Sequence, residues 1–526
     1  MHENRETSTM PDPHKGSGRL GKAKCRTPST NVAEESDLGI VLMNQPNKVE
    51  LQATAEAGEG RPRAKENSSS SNMSPTQSGS SMSQGLWRVR EAAKRNKKIR
   101  FNALLHHVTT SFLRDCFYAL KRQAAPGVDG VTWQEYEQDL ENRLTGLQSR
   151  IHRGTYRAQP SRRVYIPKAD GRQRPLGIAA LEDKIVQQAV VILLEQIFEE
   201  EFLGFSYGFR PGRGPHAALD ALTVSIERMP VKWILDADIR GFFDNVDHEW
   251  VMKFVQHRVA DRRILRLIQK WLKAGVSENG QWSETKMGTP QGAVVSPLIA
   301  NIYLHYVYDL WVHAWRRKMA RGAVVVVRYA DDTVVGFRYR EDAERFQKEL
   351  QERLAKFGLE LNTDKTRLIE FGRWAEQDRK RRGEGKPETF NFLGFTHSCG
   401  KHRKGYFALW RKTTRKRMAA KLKQIKQQLR QRRHEPIPSV GKWLQQVVTG
   451  YYNCHAVPGN LDSLTLFRAR LSRLWRCVLR QRGDQRKLDW KRFARVCLRY
   501  LPPPRTLHPY PYQRFNVIHP RWEPYA

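Results

Sequence analysis

Acidic residues are scarce in this chain of 526 residues: 54 Asp and Glu stand against 92 Lys and Arg, leaving a net charge of +38. A surplus of this size makes a cationic partner unfavourable and points to a polyanion, because Lys and Arg displace the counterions of a phosphate chain. Cysteine is sparse too. The six (Cys25, Cys116, Cys399, Cys454, Cys477 and Cys497) lie far apart with no C-x-x-C pair. That argues against a zinc ribbon or a disulfide framework and fits a reducing compartment. No run reaches the roughly 18 apolar residues that a spanning helix needs, so no membrane partner is expected. The N-terminus, Met-His-Glu-Asn-Arg, lacks a charged segment leading into an apolar one, so no secretory leader is expected and the expected location is cytoplasmic. Residues 1–85 are poor in aromatics and rich in Ser, Gly, Pro, Asn and Glu, and are expected to be a disordered extension, because they cannot bury enough apolar surface to offset chain entropy.

What is present begins with a basic patch, Arg88 to Arg100, and a helical pattern from Phe101 to Gln123. The turn-rich Ala125-Pro126-Gly127-Val128-Asp129-Gly130 breaks it, and a further helix is expected to run to about Arg150. Short strands are expected between Arg162 and Ile178 around Asp170-Gly171, then a helix over Leu181–Phe198. Val231 to Ile239 alternates and is β-branched, as a buried strand does. Ser296-Pro297 reads as a helix start with Ser at the cap. Four valines, Val324 to Val327, precede Arg328-Tyr329-Ala330-Asp331-Asp332 and then Thr333 to Phe337, which reads as a hairpin with the two acids at its tip. Glu341 to Phe357 reads as a charged amphipathic helix.

In so basic a chain, clustered carboxylates call for a reason. Asp236, Asp238 and Asp244 surround the end of the first strand, and Asp331-Asp332 occupy the hairpin. If the hairpin pairs beside that strand, the carboxylates meet at one sheet edge. Such a cluster is unfavourable alone and favourable with divalent cations between its members. Two Mg²⁺ ions about 3.5–4 Å apart would stabilise the attacking and leaving oxygens of a phosphoryl transfer. A lone Asp-Asp is otherwise a solvated turn; the valine strand and the second acidic strand end weigh against that.

Five segments in order resemble the group II intron reverse transcriptase/maturase family: Asp238-Ile239-Arg240-Gly241-Phe242-Phe243-Asp244, Gly288-Thr289-Pro290-Gln291-Gly292, Tyr329-Ala330-Asp331-Asp332, Gly358-Leu359-Glu360-Leu361-Asn362 with Lys365-Thr366, and Phe392-Leu393-Gly394-Phe395. The resemblance covers residues 100–526 and implies an α+β, right-hand polymerase. Fingers and palm with an antiparallel sheet would occupy 161–395 after a helical fingers extension at 86–160, and an α-helical thumb and maturase domain 396–526. It implies Asp238, Asp331 and Asp332 as catalytic carboxylates and metal ligands, with the Ile239 carbonyl beside them and two Mg²⁺ ions, Mn²⁺ substituting. Phe243 would be a gate against the ribose 2′-hydroxyl and Phe242 a core residue. Gln291 would lie against the incoming dNTP, Lys168 and Arg174 would bind its triphosphate, and Lys365 would neutralise or protonate the leaving pyrophosphate. Phe392–Phe395 would be the strand before the thumb.

Residues 396–526 carry 30 Lys and Arg against 5 Asp and Glu, or +25 of the total +38. A basic, helical module is expected there, its aromatics packing the helices and Arg411, Lys412, Arg415, Lys416, Arg468, Arg473 and Arg476 tracking structured RNA through its backbone. Leu501-Pro502-Pro503-Pro504-Arg505 and the aromatic tail read as an extended close. The partners implied are a structured intron RNA, an RNA template with a DNA primer, and target DNA; homo-oligomerisation stays open. No H-N-H endonuclease with paired cysteines is expected, and if the protein is mobile, priming from a nicked or replicating strand is expected instead. A maturase that only binds RNA, and a bacterial reverse transcriptase of phage defence, are the alternatives. The intact carboxylates argue against the first, and the basic module against the second.

Overall fold

The computed structural model describes residues 77–167, 173–402, 404–482 and 489–520. The expectations for residues 1–76 and for Lys168 fall outside that set. Helix α1 (Gln77–Arg95) takes in the last residues of the stretch expected to be disordered and carries part of the basic patch. The expected Phe101–Gln123 helix shortens to α2 (Thr110–Ala119), because the Thr109 hydroxyl caps it at one end and Phe101 is committed to a bridge with Val259. Helices α3 (Trp133–Glu137) and α4 (Leu140–Arg153) follow the turn-rich break. A Thr132–Glu135 capping box starts the first of them.

Strands β1 (Ser161–Pro167) and β2 (Gln173–Ile178) pair antiparallel. Helix α5 (Leu181–Phe198) has the expected bounds and is buried on nearly every side. After α6 (Pro215–Arg228) come β3 (Trp233–Asp238), the short α7 (Phe242–Asn245), α8 (His248–Gln256) and α9 (Arg262–Lys273). The small hairpin β4 (Val276–Glu278) and β5 (Gln281–Ser283) joins the first sheet in the order β2-β1-β4-β5, with β1 and β4 parallel, so this sheet is mixed rather than antiparallel. Helix α10 (Ser296–Leu304) runs through a π-helical turn, His305–Asp309, into α11 (Leu310–Lys318). Ser296 is not its cap. It is the first helical residue, and its hydroxyl donates to the Pro290 carbonyl at 2.9 Å.

A second, four-stranded sheet contains β6 (Val324–Tyr329), β7 (Asp332–Phe337) and β8 (Arg367–Glu370) with β3, in the antiparallel order β6-β7-β3-β8. The four valines explain its place. Val324 and Val326 enter one apolar core with the helices of the N-terminal half, while Val325 and Val327 enter a second core with α6. Alternation with both faces covered is what a strand dividing two cores requires. Helix α12 (Arg340–Ala355) packs on the first face and α13 (Ala375–Arg381) follows β8.

Strands β9 (Phe390–Phe392), β10 (Phe395–Lys401) and β11 (Phe407–Thr413) form a third, antiparallel sheet. Phe392-Leu393-Gly394-Phe395 is therefore a hairpin turn, not a strand. Leu393 and Gly394 are both left-handed, with φ of 48° and 86°, as tight two-residue hairpins demand. The expected border at 395/396 falls inside this sheet, and the second core crosses it, from Ala217 and Val325 through Phe392 to Phe395 and Leu409.

Helices α14 (Arg415–Gln431), α15 (Ile437–His455), α16 (Leu461–Arg480) and α17 (Trp490–Tyr500) build a third core around Trp475. The tail is not extended throughout. After Pro504 it forms α18 (Pro511–Ile518), which lies on α6. Phe515 enters the second core there, Tyr512 donates to Glu227 at 2.8 Å, and Arg514 pairs with Asp220 at 3.0 Å. Apolar spacing in Pro511–Ile518 finds a groove that composition could not announce. Among the described residues no helix is long and apolar enough to cross a membrane.

Candidate active site

The first-strand carboxylates and the hairpin meet through strand register. Strand β7 pairs antiparallel with β3 so that Asp332 stands opposite Asp238 and Val334 opposite Asp236. Cross-strand partners share a face, and so do residues two apart, which puts Asp236, Asp238 and Asp332 on one side of the sheet. The tip of the hairpin is Ala330-Asp331. Asp332 is the first residue of β7, paired with Tyr329, and so not part of the two-residue tip expected for it. Asp244 is exposed on α7, at the margin of this cluster.

Ala330 has φ of 54°, in the left-handed region that glycine favours. A side chain there costs about 1–2 kcal/mol, which the surroundings must offset. They do so by close backbone packing. A Cβ on Gly208 would run into the Ala330 nitrogen, so the segment Ser206-Tyr207-Gly208-Phe209 can lie against the tip only with glycine at 208. The sequence reading missed this segment; its Gly-Phe-Arg-Pro-Gly-Arg-Gly run was the available signal.

Electrostatics at the cluster follow from enclosure and like charge. Asp332 remains reachable by water at the sheet end, yet protein crowds its carboxyl and Asp331, Asp238 and Asp236 face it. Enclosure first, then those three neighbours, push it up to about 7. Asp331 is raised by burial and by Asp238, with Arg174 and Lys365 opposing. Asp236 is pushed up to about 6, mainly by burial, against the pull of Arg367. Asp238 is the member with a directly hydrogen-bonded cation: Lys365 Nζ donates to its Oδ2 at 2.7 Å, and the neutral Asn362 Nδ2 donates to the same oxygen at 3.0 Å. Carboxyls raised in the folded state bind protons that the unfolded chain releases near pH 4, so their contribution to stability is greatest at low pH and falls as pH rises through about 6 to 7. In metal-free buffer, Asp332→Asn is therefore expected to raise the melting temperature at pH 8 and leave it nearly unchanged at pH 4. Equal shifts at both values would contradict the cluster's like-charge character.

The donor set is all oxygen and mutually repulsive, which suits Mg²⁺. Among the described residues no three His, Cys, Asp or Glu side chains already converge as a finished metal centre, and Lys365 holds Asp238 instead. Ile239 stands opposite Leu361 with the cross-chain hydrogen bonds carried by its neighbours, Asp238 and Arg240. Its own carbonyl is not used in that pairing.

The remaining site residues fall into two groups. Arg174 on β2 donates to the Gln291 side chain at 2.7 Å, and the Gly177 nitrogen donates to the Gln291 carbonyl at 2.7 Å, so β2 and the Gly288–Gly292 loop are knit together. Thr289 N donates to the Phe243 carbonyl at 2.8 Å, and a Cβ on Gly288, whose φ is 86°, would stand 2.8 Å from that same oxygen. Phe242 is the more buried of the two phenylalanines, at 2% exposure against 9% for Phe243, and the rings meet edge to face. The basic candidates divide differently. Arg411 is withdrawn from any surface role: it is 2% exposed and pairs with buried Asp220 at 2.6 Å. Arg468 spends its guanidinium on the Leu501 carbonyl, at 3.1 Å and 3.3 Å, and so serves the end of α17. Arg476 stacks on Trp490, and Lys412 lies over Trp410 within 3.7 Å of Asp462. Arg415, Lys416 and Arg473 are exposed.

Residues 166–397 match the family model described as reverse transcriptase (RNA-dependent DNA polymerase). Protein YkfC of Escherichia coli K12 is 36% identical over 275 residues, 46% of this chain and 72% of that protein. Group II intron-encoded protein LtrA of Lactococcus lactis subsp. cremoris is 44% identical over 166 residues, 31% of this chain and 27% of LtrA. Nuclear intron maturase 1, mitochondrial, of Arabidopsis thaliana is 36% identical over 92 residues, 18% of this chain and 13% of the maturase. The chain thus spans most of YkfC but a minor part of the two intron proteins.

Proposed function

Because the chain belongs to the reverse transcriptase family, in the branch encoded by group II introns, we propose that it copies RNA into DNA and also binds and helps splice a structured intron RNA. The observation that carries the polymerase reading is the register that sets Asp332 opposite Asp238 on β3, with Asp331 at the adjoining tip. In this reading Asp238, Asp331 and Asp332 are the catalytic carboxylates, joined by the Ile239 carbonyl. Two Mg²⁺ ions, or Mn²⁺, bound there would supply Lewis-acid stabilisation of the attacking and leaving oxygens.

The chain's own residues do the rest. The primer 3′-hydroxyl gives its proton to water as its oxygen attacks the α-phosphorus of a dNTP, and the bond to pyrophosphate breaks. Arg174 and Gln291, already in contact, orient the triphosphate, with Lys168 as a second cation. Lys365 leaves Asp238 and turns its charge to the departing pyrophosphate. Phe243, held through its carbonyl by Thr289, keeps the ribose 2′-hydroxyl out. The fingers and palm take residues 161 to about 413. Helices α14–α17 act as thumb and maturase domain, presenting Arg415, Lys416 and Arg473 to RNA, and target DNA is the second nucleic-acid partner.

The test is extension of a DNA primer on an RNA template with dNTPs and Mg²⁺, run beside sequencing of the RNA that co-purifies. Cleanly extended primer and enrichment of a single intron are expected. A wild-type protein that extends nothing sinks the polymerase half, and a random RNA population sinks the maturase half.

A further inference from the structure

Resting on the polymerase reading, the geometry points to Arg328 as a positioning residue that, with the π-helical turn His305–Asp309, holds the Asp331 tip in its working place. Arg328 immediately precedes Tyr329 and is among the most deeply buried large side chains, at 1% exposure. Its guanidinium reaches four segments at once. Nε and Nη2 hold Asp309 Oδ1 and Oδ2 at 2.7 Å and 2.6 Å, and Nη2 also donates to Ser206 Oγ at 2.7 Å. Nη1 donates to Asn301 Oδ1 at 3.3 Å and to the Ala330 carbonyl at 3.0 Å. The last bond lands on the left-handed residue beside Asp331.

The other foot of the hairpin is held from the same turn. Tyr308 and Thr333 hydroxyls are hydrogen-bonded at 2.7 Å, and Thr333 directly follows Asp332. Successive residues of one π-helical turn therefore grip both sides of the tip, Asp309 before it through Arg328 and Tyr308 after it. A π-turn interrupting a helix is an uncommon, costly feature that recurs at functional sites. Asn301 closes the frame. While it accepts from Arg328, its Nδ2 donates to the Gly208 carbonyl at 2.8 Å, and Gly208 is the residue pressed against Ala330. A core ion pair needs only its partner; Arg328 in addition donates to the Ala330 carbonyl of the left-handed turn, while Asn301 holds the Gly208 carbonyl packed against it.

A lysine at 328 keeps the charge opposite Asp309 but cannot serve Ser206, Asn301 and Ala330 together. In the full chain, Arg328→Lys is expected to lower kcat for primer extension by about 100-fold per titrated active site, as a misplacement near 1 Å does. KM for dNTP and affinity for primer–template should change by far less than kcat, since Arg328 touches neither Arg174 nor Gln291, which orient the triphosphate. Tyr308→Phe, isosteric and safe for folding, should lower kcat by about tenfold by the same route. In both variants the amides of Tyr329–Thr333 should exchange hydrogen faster, with those of β3 unchanged. Wild-type kcat and unchanged exchange in Tyr308→Phe would overturn the proposal even if Arg328→Lys failed to fold. A merely structural role would lower the melting temperature and the amount of active enzyme but leave kcat per site intact, which also overturns it. If wild type does not polymerise, the polymerase reading falls separately, and amide exchange alone decides whether Arg328 and Tyr308 hold the tip.

Discussion

Asp331→Asn is expected to reduce primer extension by about 10³-fold or more while raising the melting temperature in metal-free buffer. The two effects share one cause. Asp331 is enclosed and faces Asp238, so its charge opposes folding until something cationic balances it. Asparagine has nearly the same shape and no charge, which relieves Asp332 as well. The same change removes a ligand of the proposed metal site, and the rate falls. Affinity for the proposed RNA partner should hold, because the basic helices α14–α17 proposed to bind it build a separate core. Circular dichroism melts with EDTA, beside single-turnover extension with Mg²⁺, measure both. A destabilised variant that still polymerises would show that Asp331 is a turn residue and nothing more.

Trp475→Ala is expected to cost about 3–5 kcal/mol, as truncating a fully buried tryptophan does. Trp475 lies edge-on to Phe493 at 5.6 Å and to Tyr500 at 6.3 Å, at the centre of the core built by α14–α17. No residue of that core belongs to the other two. The loss should therefore fall on the basic module first. Calorimetry should show an early transition split from the main one, with RNA affinity lost at temperatures where extension from a pre-annealed short template persists. A single transition displaced as a whole would mean that the cores melt together, with the Thr413–Asn460 hydrogen bonds and the Phe395–His455 ring contact coupling the basic module to the second core.

Much of the site was legible because its signals are local. The alternation in Val231–Ile239, the valine run and the apolar spacing of Leu181–Phe198 each describe a few turns of chain. Strand β3, the hairpin and α5 appeared within two residues of where pattern put them. Two such segments set out the cluster Asp236, Asp238, Asp244, Asp331 and Asp332, and only the family resemblance singles out Asp238, Asp331 and Asp332 among them. Partners distant in the chain were not legible. Arg411 and Arg415 read alike in a basic run, yet one is paired with Asp220 inside the protein, 191 residues away, and the other meets water.

Residue order alone pointed to a polyanionic partner, to several of the helices and strands and, through the family resemblance, to three candidate carboxylates, because composition and short-range periodicity are local. Only the folded arrangement decided that Asp332 faces Asp238, that Lys365 sits on that same carboxylate, and that Arg328 and the π-turn brace the tip. Those are consequences of strand register and of which buried charge meets which. Both are set by packing between residues from 19 apart, as Asp309 and Arg328, to 127 apart, as Asp238 and Lys365, beyond the reach of short-range periodicity.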